Sequence, residues 1–268
     1  MALTGKRILL TGGAGFIGTT IASRLVEDNE IVLFDNLTNN AMQATELAQH
    51  PNVTFVQGDI LDVEAVRAAS RGANIIVHMA AIAGVDSVLR SPVRTMRVNL
   101  LGTANVVEAA NENLATLERF LDFSTSEVFG RHAYKVEETH ETSGGSVGEA
   151  RWTYAVSKLA GEYLSHAYFD EFKLPAAVIR PFNIYGPNQV GAGAIHHFAV
   201  RALRGLPTLN AWPTASGRSR IRSTAETMSS MKHHARICDP SPWMIRSSPR
   251  SARTVKWWIA PAPTWFGP

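Results

Sequence analysis

The chain has 268 residues, with 26 Lys+Arg against 23 Asp+Glu and a formal net charge of +3. A hydrophobic fraction of 45% and a charged fraction of 18% allow a buried core and exclude a disordered or collagen-like chain. No window approaches eighteen uninterrupted apolar residues, the first residues lack the zones of a signal peptide, and the single Cys238 cannot form an internal disulfide. The expectation is a soluble, cytoplasmic protein with no membrane partner and no metal site.

In chain order, Lys6 to Thr11 (KRILLT), Glu30 to Asp35 (EIVLFD), Val53 to Gln57 and Asn74 to Met79 (NIIVHM) are short apolar runs that read as strands buried on both faces. Helix-length segments separate them at Phe16 to Glu27 and Val63 to Arg71, followed by a longer one from Pro92 to Asn113 with apolar residues at helical spacing. Glu118 to Phe123 is a further strand, Arg151 to Phe172 a further helix, and Ala176 to Ile179 a last strand. This alternation predicts an α/β fold, a doubly wound parallel sheet with helices on both faces. The Gly/Ser-rich stretch from Ser143 to Gly148 reads as a substrate-side loop rather than a linker.

The first turn carries the most specific pattern. Thr11-Gly12-Gly13-Ala14-Gly15-Phe16-Ile17-Gly18 follows a strand and opens a helix. Gly12 permits the tight turn, Gly15 lets the backbone approach a pyrophosphate, Gly18 lets helix and strand pack closely, and the helix N-terminus at Phe16 and Ile17 faces the phosphates. Asp35 ends the second strand seventeen residues past Gly18, where a carboxylate accepts ribose hydroxyls and repels a 2′-phosphate. No Lys or Arg occurs from 25 to 66 to reverse that preference, so NAD is expected rather than NADP.

Tyr154 and Lys158 stand at i and i+4, on one face of a helix. A phenol with an ordinary pKa of about 10 is a poor base, and a neighbouring ammonium and the positive nicotinamide ring are expected to lower it. The fifth strand runs into Ser124-Thr125-Ser126-Glu127 at the carboxyl edge of the sheet, where ligands bind in such folds, and Thr125 is placed to hydrogen-bond a reacting hydroxyl.

TGGAGFIG, Asp35, Gly58-Asp59-Ile60, His78-Met79-Ala80-Ala81, Asn99, STSEVFG, YAVSK and Arg180-Pro181-Phe182-Asn183-Ile184-Tyr185-Gly186-Pro187, taken as an ordered set, resemble the extended short-chain dehydrogenase/reductase family in its nucleotide-sugar epimerase and dehydratase branch. The resemblance covers about 210 residues. It implies a Rossmann domain over residues 1–180 that holds NAD tightly, a smaller substrate subdomain starting at 181–210, and commonly a homodimer. It also implies that Asn36, Asp59 and Ile60 lie by the adenosine, that Ala80, Ala81, Ala83, Asn99 and Pro181 line or support the cofactor, and that Asn183 meets the substrate diphosphate side. Thr125, Ser126, Glu127, Tyr154 and Lys158 are then the catalytic set, with Thr125 and Glu127 also touching substrate.

The resemblance further implies oxidation of a UDP- or dTDP-sugar C4 hydroxyl. Glu127 is a candidate base for the C5 proton, as in 4,6-dehydratases, whereas a simple 4-epimerase needs none. Ser126 stands where dehydratases of dTDP-glucose typically carry an acid, and a serine hydroxyl is too weakly acidic to expel water. Thr-Ser-Glu is similar to UDP-glucuronate decarboxylases and to GDP-mannose 4,6-dehydratases, so all three outcomes stay open.

Some residues read as ordinary. His78 is taken as a packed or hydrogen-bonded histidine, His196-His197 lacks ligand spacing, and Arg90, Arg94 and Arg97 form a solvated or dimer-facing stripe. Arg180 is read equally as substrate-facing or as a structural ion pair.

The basic charge sits in one place. Residues 211–268 hold nine Lys+Arg and two Asp+Glu, five of six tryptophans and seven of thirteen prolines, while residues 1–210 hold 17 basic and 21 acidic side chains. The family's Gly-Asp-Gly segment and the arginine and paired aspartates that follow it are missing from this tail. We read it as out-of-frame sequence, which reading the gene in the other two frames past codon 210 checks. On that reading nucleic acid is not a partner. The alternatives are an NAD-binding protein with impaired catalysis, and a nucleic-acid binder using Trp257, Trp258, Arg250, Arg253 and Lys256.

Overall fold

The computed structural model describes residues 3–189 and 194–206, which belong to two separate units; the 211–268 tail lies outside the described residues. In the first unit, six strands form one parallel sheet in the order β3-β2-β1-β4-β5-β6. They are β1 (Arg7–Thr11), β2 (Glu30–Asp35), β3 (Val53–Gln57), β4 (Ile75–His78), β5 (Arg119–Phe123) and β6 (Ala176–Ile179). β1 pairs with both β2 and β4, Leu9 lying opposite Val32 on one side and Ile76 on the other. Winding therefore reverses between β1 and β4, and ligands of such sheets bind at the carboxyl ends of the strands at that point. The doubly wound expectation holds.

Alternate residues of β1 serve opposite faces, as a pleated strand requires. Leu9 joins Val32, Phe34, Ile76, Val106 and Phe120 in one core. Ile8 and Leu10 join Ala22, Ile31, Leu33 and Val77 in the other. Helix α1 (Phe16–Leu25) covers the second face, while α2 (Val63–Ser70), α5 (Gly102–Glu112) and α6 (Thr153–Phe172) pack on the first. Burying each such aliphatic side chain contributes roughly 1.5–3 kcal/mol, so these two layers hold the strand ends that carry the site.

Two departures from the sequence reading lie together. A short helix α3 (Val85–Arg90) precedes the expected long one, and the latter is α4 (Pro92–Met96), a π-helical turn at Arg97–Leu101 and then α5. The extra residue of the wider turn accompanies complete burial of Asn99. Its Oδ1 accepts from Ile82 N at 2.8 Å, and its Nδ2 donates to Ile82 O and to Ser157 Oγ, both at 3.1 Å. Helical spacing on either side of the turn reads as one helix, and the stretch from Pro92 to Asn113 is too short for the phase shift of one extra residue to stand out. In the second unit, Ala194–Leu203 forms α7, for which the sequence made no prediction.

Candidate functional site

The glycine turn is fixed by close approach. Gly12 has φ +69°, and a Cβ there would stand 2.8 Å from Ala80 N; one on Gly18 would stand 2.6 Å from Gly13 O. Both glycines are demanded by the protein's own packing. Gly15 is different, since its Cβ would meet only Gly12 O at 3.2 Å. The space beside it, at the head of α1, is what a diphosphate needs. No side chain caps α1 and no acid lies in its first turn, where Phe16 and Ile17 sit, so its positive end is not neutralised locally. These residues fit a dinucleotide.

Asp35 is half-buried at the end of β2, adjoining that turn. Its Oδ2 accepts Ala14 N–H at 3.0 Å and its Oδ1 accepts Leu37 N–H at 2.7 Å, yet burial outweighs both bonds and raises the carboxyl above the usual range. Asn36 is exposed and its Oδ1 accepts Thr38 N–H. Asp59 is exposed and accepts Leu61 N–H, while Ile60 is buried with its carbonyl held by Asn105 Nδ2 at 2.8 Å. Ala80, Ala81 and Ala83 follow β4 in the segment that Asn99 grips through Ile82.

On the other side of the switch point, Ser124 N–H donates to Ile179 O and Ser126 N–H to Pro181 O, which ties the end of β5 to the end of β6. Thr125 is buried and its Oγ1 accepts Glu127 N–H at 3.2 Å, leaving its own proton for Tyr154, whose phenolate it favours. Glu127 is exposed, as is Asn183 two residues beyond Pro181. Ser143 N–H donates to Val128 O, so the Gly/Ser-rich loop starts beside the turn that carries Glu127.

The expected lowering of the Tyr154 pKa is not found in the protein alone. Burial first, then the negative charges of Glu127 and Asp122, outweigh Thr125 and push the phenol up to about 12. Lys158, expected to do the lowering, is buried with its Nζ 3.4 Å from Asp122 Oδ1. Asp122 went unnoticed in the sequence reading; an acid inside the apolar run Arg119–Phe123, facing a helix with a lysine, was the available signal.

His78 is fully buried. Thr11 Oγ1 lies 2.7 Å from its Nδ1 and Thr103 Oγ1 2.9 Å from its Nε2. Thr103 donates its own proton to Asn99 O at 2.6 Å, so it accepts from Nε2–H. Burial, then Lys158, hold the pKa of His78 well below its ordinary value. Arg180 proves to be structural: it donates to both oxygens of Glu162 at 2.7 to 3.1 Å and lies 4.8 Å from the Phe129 ring centroid. Arg90, Arg94 and Arg97 are exposed along one open groove with Leu61 and Val93. Among the described residues, no cluster of three His, Cys, Asp or Glu side chains is placed to hold a metal.

Comparison with known proteins agrees with this geometry. UDP-N-acetyl-alpha-D-glucosaminuronate decarboxylase of Bacillus cytotoxicus is 32% identical over 204 residues, covering 75% of this chain and 62% of the relative. Human dTDP-D-glucose 4,6-dehydratase is 33% identical over 200 residues, covering 72% and 55%. The chain thus spans less than two thirds of the length of these relatives. Among solved structures, UDP-glucose 4-epimerase of Thermus thermophilus in complex with NAD superposes with a TM-score of 0.65 at 32% identity, covering 75% of this chain and 64% of that one. UDP-glucuronic acid 4-epimerase of Bacillus cereus, in complex with UDP-glucuronic acid and NAD, gives 0.67 at 28% identity over 75% and 64%. The family model matches residues 8–218, and the chain belongs to the NAD dependent epimerase/dehydratase family.

Proposed function

We propose that this chain is an NAD-dependent enzyme that oxidises the C4 hydroxyl of a UDP- or dTDP-hexose. The observation that carries the reading is the Thr125 hydroxyl beside Tyr154 at the carboxyl end of β5, with Lys158 one turn further along α6. NAD, when bound, supplies the hydride acceptor. Gly12, Gly15, Gly18 and the first turn of α1 hold its diphosphate, Asp35 its adenosine ribose, and Asp59 and Ile60 flank its adenine. Ala80, Ala81, Ala83 and Pro181 line it, and Asn99 keeps that wall in place.

Tyr154 takes the proton from the C4 hydroxyl while Thr125 holds that hydroxyl and stabilises the phenolate. Glu127, exposed at the turn after Thr125, is the base for the C5 proton that the C4 ketone acidifies where the outcome is loss of water; decarboxylation and 4-epimerisation take no proton from C5. Ser126 supplies no acid for the loss of water, which favours an outcome that needs none. Decarboxylation and epimerisation meet that condition; the names of the relatives include both, and 4,6-dehydratases as well. Asn183 is placed to meet the diphosphate of the sugar nucleotide.

A homodimer fits the same reading. Val85, Leu89, Val93 and Leu101 are large apolar residues left exposed along α3, α4 and the π turn, a surface that a second copy would cover.

Incubation of the chain with NAD and a panel of UDP-, dTDP- and GDP-sugars, followed by weighing of the products, tests the proposal. Loss of water, loss of carbon dioxide or an unchanged mass with inverted C4 identifies the outcome. Tyr154→Phe is expected to slow turnover by roughly 10²- to 10⁴-fold with NAD binding retained. Turnover equal to wild type in that variant sinks the mechanism, and NAD binding without turnover of any sugar supports the catalytically impaired reading.

A further inference from the structure

Next to the Tyr154–Lys158 pair lies a charged group that the proposed chemistry does not use. Asp122, the fourth residue of β5, is fully buried, and its Oδ1 stands 3.4 Å from the Nζ of Lys158, which is 1% exposed. Helix α6 closes over the carboxylate. A Cβ on Gly161 would come to 3.4 Å from Asp122 Oδ2 and 3.1 Å from Thr103 Cγ2, so a glycine at 161 lets the helix settle onto the acid. Asp122 Oδ2 and the hydroxyl of Ser165, one turn further along that face, are both buried without a partner at bonding distance, although Ser165 still favours the charged acid.

Of the surrounding groups, Glu162 also acts on Asp122 and raises it further, behind burial. His78 on β4 is neutral, and Glu162 on α6 is held by Arg180 from the chain just after β6. Tyr154 at the start of α6 is an uncharged phenol at neutral pH, and Glu127 acts on Tyr154 from the turn after β5. A lysine this deep without a counter-charge loses its proton readily, because burial penalises the charged form by up to several pH units. A carboxylate in the middle of a parallel strand carries a desolvation cost of its own, which packing against apolar neighbours would never offset. Each of the two groups makes physical sense only because of the other.

We propose that Asp122 is a positioning residue for Lys158: from the sheet side it holds the ammonium in place one turn from Tyr154, using one of its three donors and leaving the others for a bound ligand. The proposal rests on the reading of Tyr154 and Lys158 as the reacting pair.

The test is a titration of Lys158 by NMR in the full chain labelled at lysine Cε, with no cofactor or sugar added. The resonance is assigned as the one lost in Lys158→Arg. In Asp122→Asn its midpoint should fall by more than one pH unit below that of the wild type, and in Asp122→Glu it should recover. A midpoint that Asp122→Asn leaves unmoved overturns the proposal. If Asp122→Asn does not fold, the same comparison is made with Asp122→Ser. No turnover enters the measurement, so an inactive chain would sink the proposed enzyme while leaving the link between Asp122 and Lys158 standing.

Discussion

Among the described residues, the chain before His78 buries four polar side chains, Thr11, Thr19, Asn29 and Ser70; from His78 onward eleven are buried, including Asp122, Lys158 and Glu162. The first half is shaped by backbone and apolar contact: glycines that allow close approach, strands of Ile, Leu and Val, and one acid at the rim. The second half is shaped by charge and hydrogen bonds placed where water does not reach. A cofactor cradle needs a surface of fixed contour, which sterics provide. A proton-transfer site needs groups whose charge is controlled, and burial in a low dielectric medium is what makes small displacements of charge count.

The comparison can be broken at several points. The largest expected effect on stability is at Arg180. Removing it as Arg180→Ala leaves the Glu162 carboxylate, 4% exposed, without its two-pronged partner, and urea unfolding should show a loss of about 3–5 kcal/mol. Replacing both, as Arg180→Met with Glu162→Leu, should recover most of that loss. A cost below about 1 kcal/mol for the single change would mean that the second half is not governed by buried charge.

At the glycine turn the expected mechanism is different. Gly18→Ala puts a methyl group 2.6 Å from Gly13 O, and overpacking of this kind costs about 1–3 kcal/mol. Calorimetry with and without NAD should show a lower Tm and a weakened shift on adding the cofactor. An unchanged NAD affinity would remove this turn from the site.

The smallest effect concerns pH. His78 has a folded-state pKa well below the ordinary 6.5 because it is buried beside Lys158. Below pH 6.5 the unfolded chain takes up a proton there that the native chain refuses, so stability is lost as the pH falls through that value. The contribution approaches about 1.4 kcal/mol per pH unit. Urea midpoints between about pH 5 and 7 should therefore fall more steeply toward acid in the wild type than in His78→Gln. Equal slopes would show that the native ring takes a proton as readily as the unfolded one.

Legibility followed the same division. Gly12, Gly15, Gly18 and Asp35 were readable because their roles are local: a turn, a helix start and a strand end lie within a few residues of one another, and sterics allow few residue types there. Tyr154 and Lys158 were readable as a pair because one helical turn joins them. The π turn escaped because the stretch around it is too short for the phase shift of one extra residue to stand out, and only Asn99, reaching Ile82 and Ser157, shows why the helix widens there. Arg180 was ambiguous because its partner Glu162 is eighteen residues away on another element.

By itself, then, the sequence determined the doubly wound sheet, the dinucleotide turn and the family, since each depends on patterns that repeat along the chain at short range. Tertiary structure alone decided what surrounds Tyr154 and Lys158. Asp122 and Lys158 are 36 residues apart, and nothing in either strand or helix propensity announces that they meet. Their pairing exists because β5 and α6 pack together, and its electrostatic weight exists because that packing expels water.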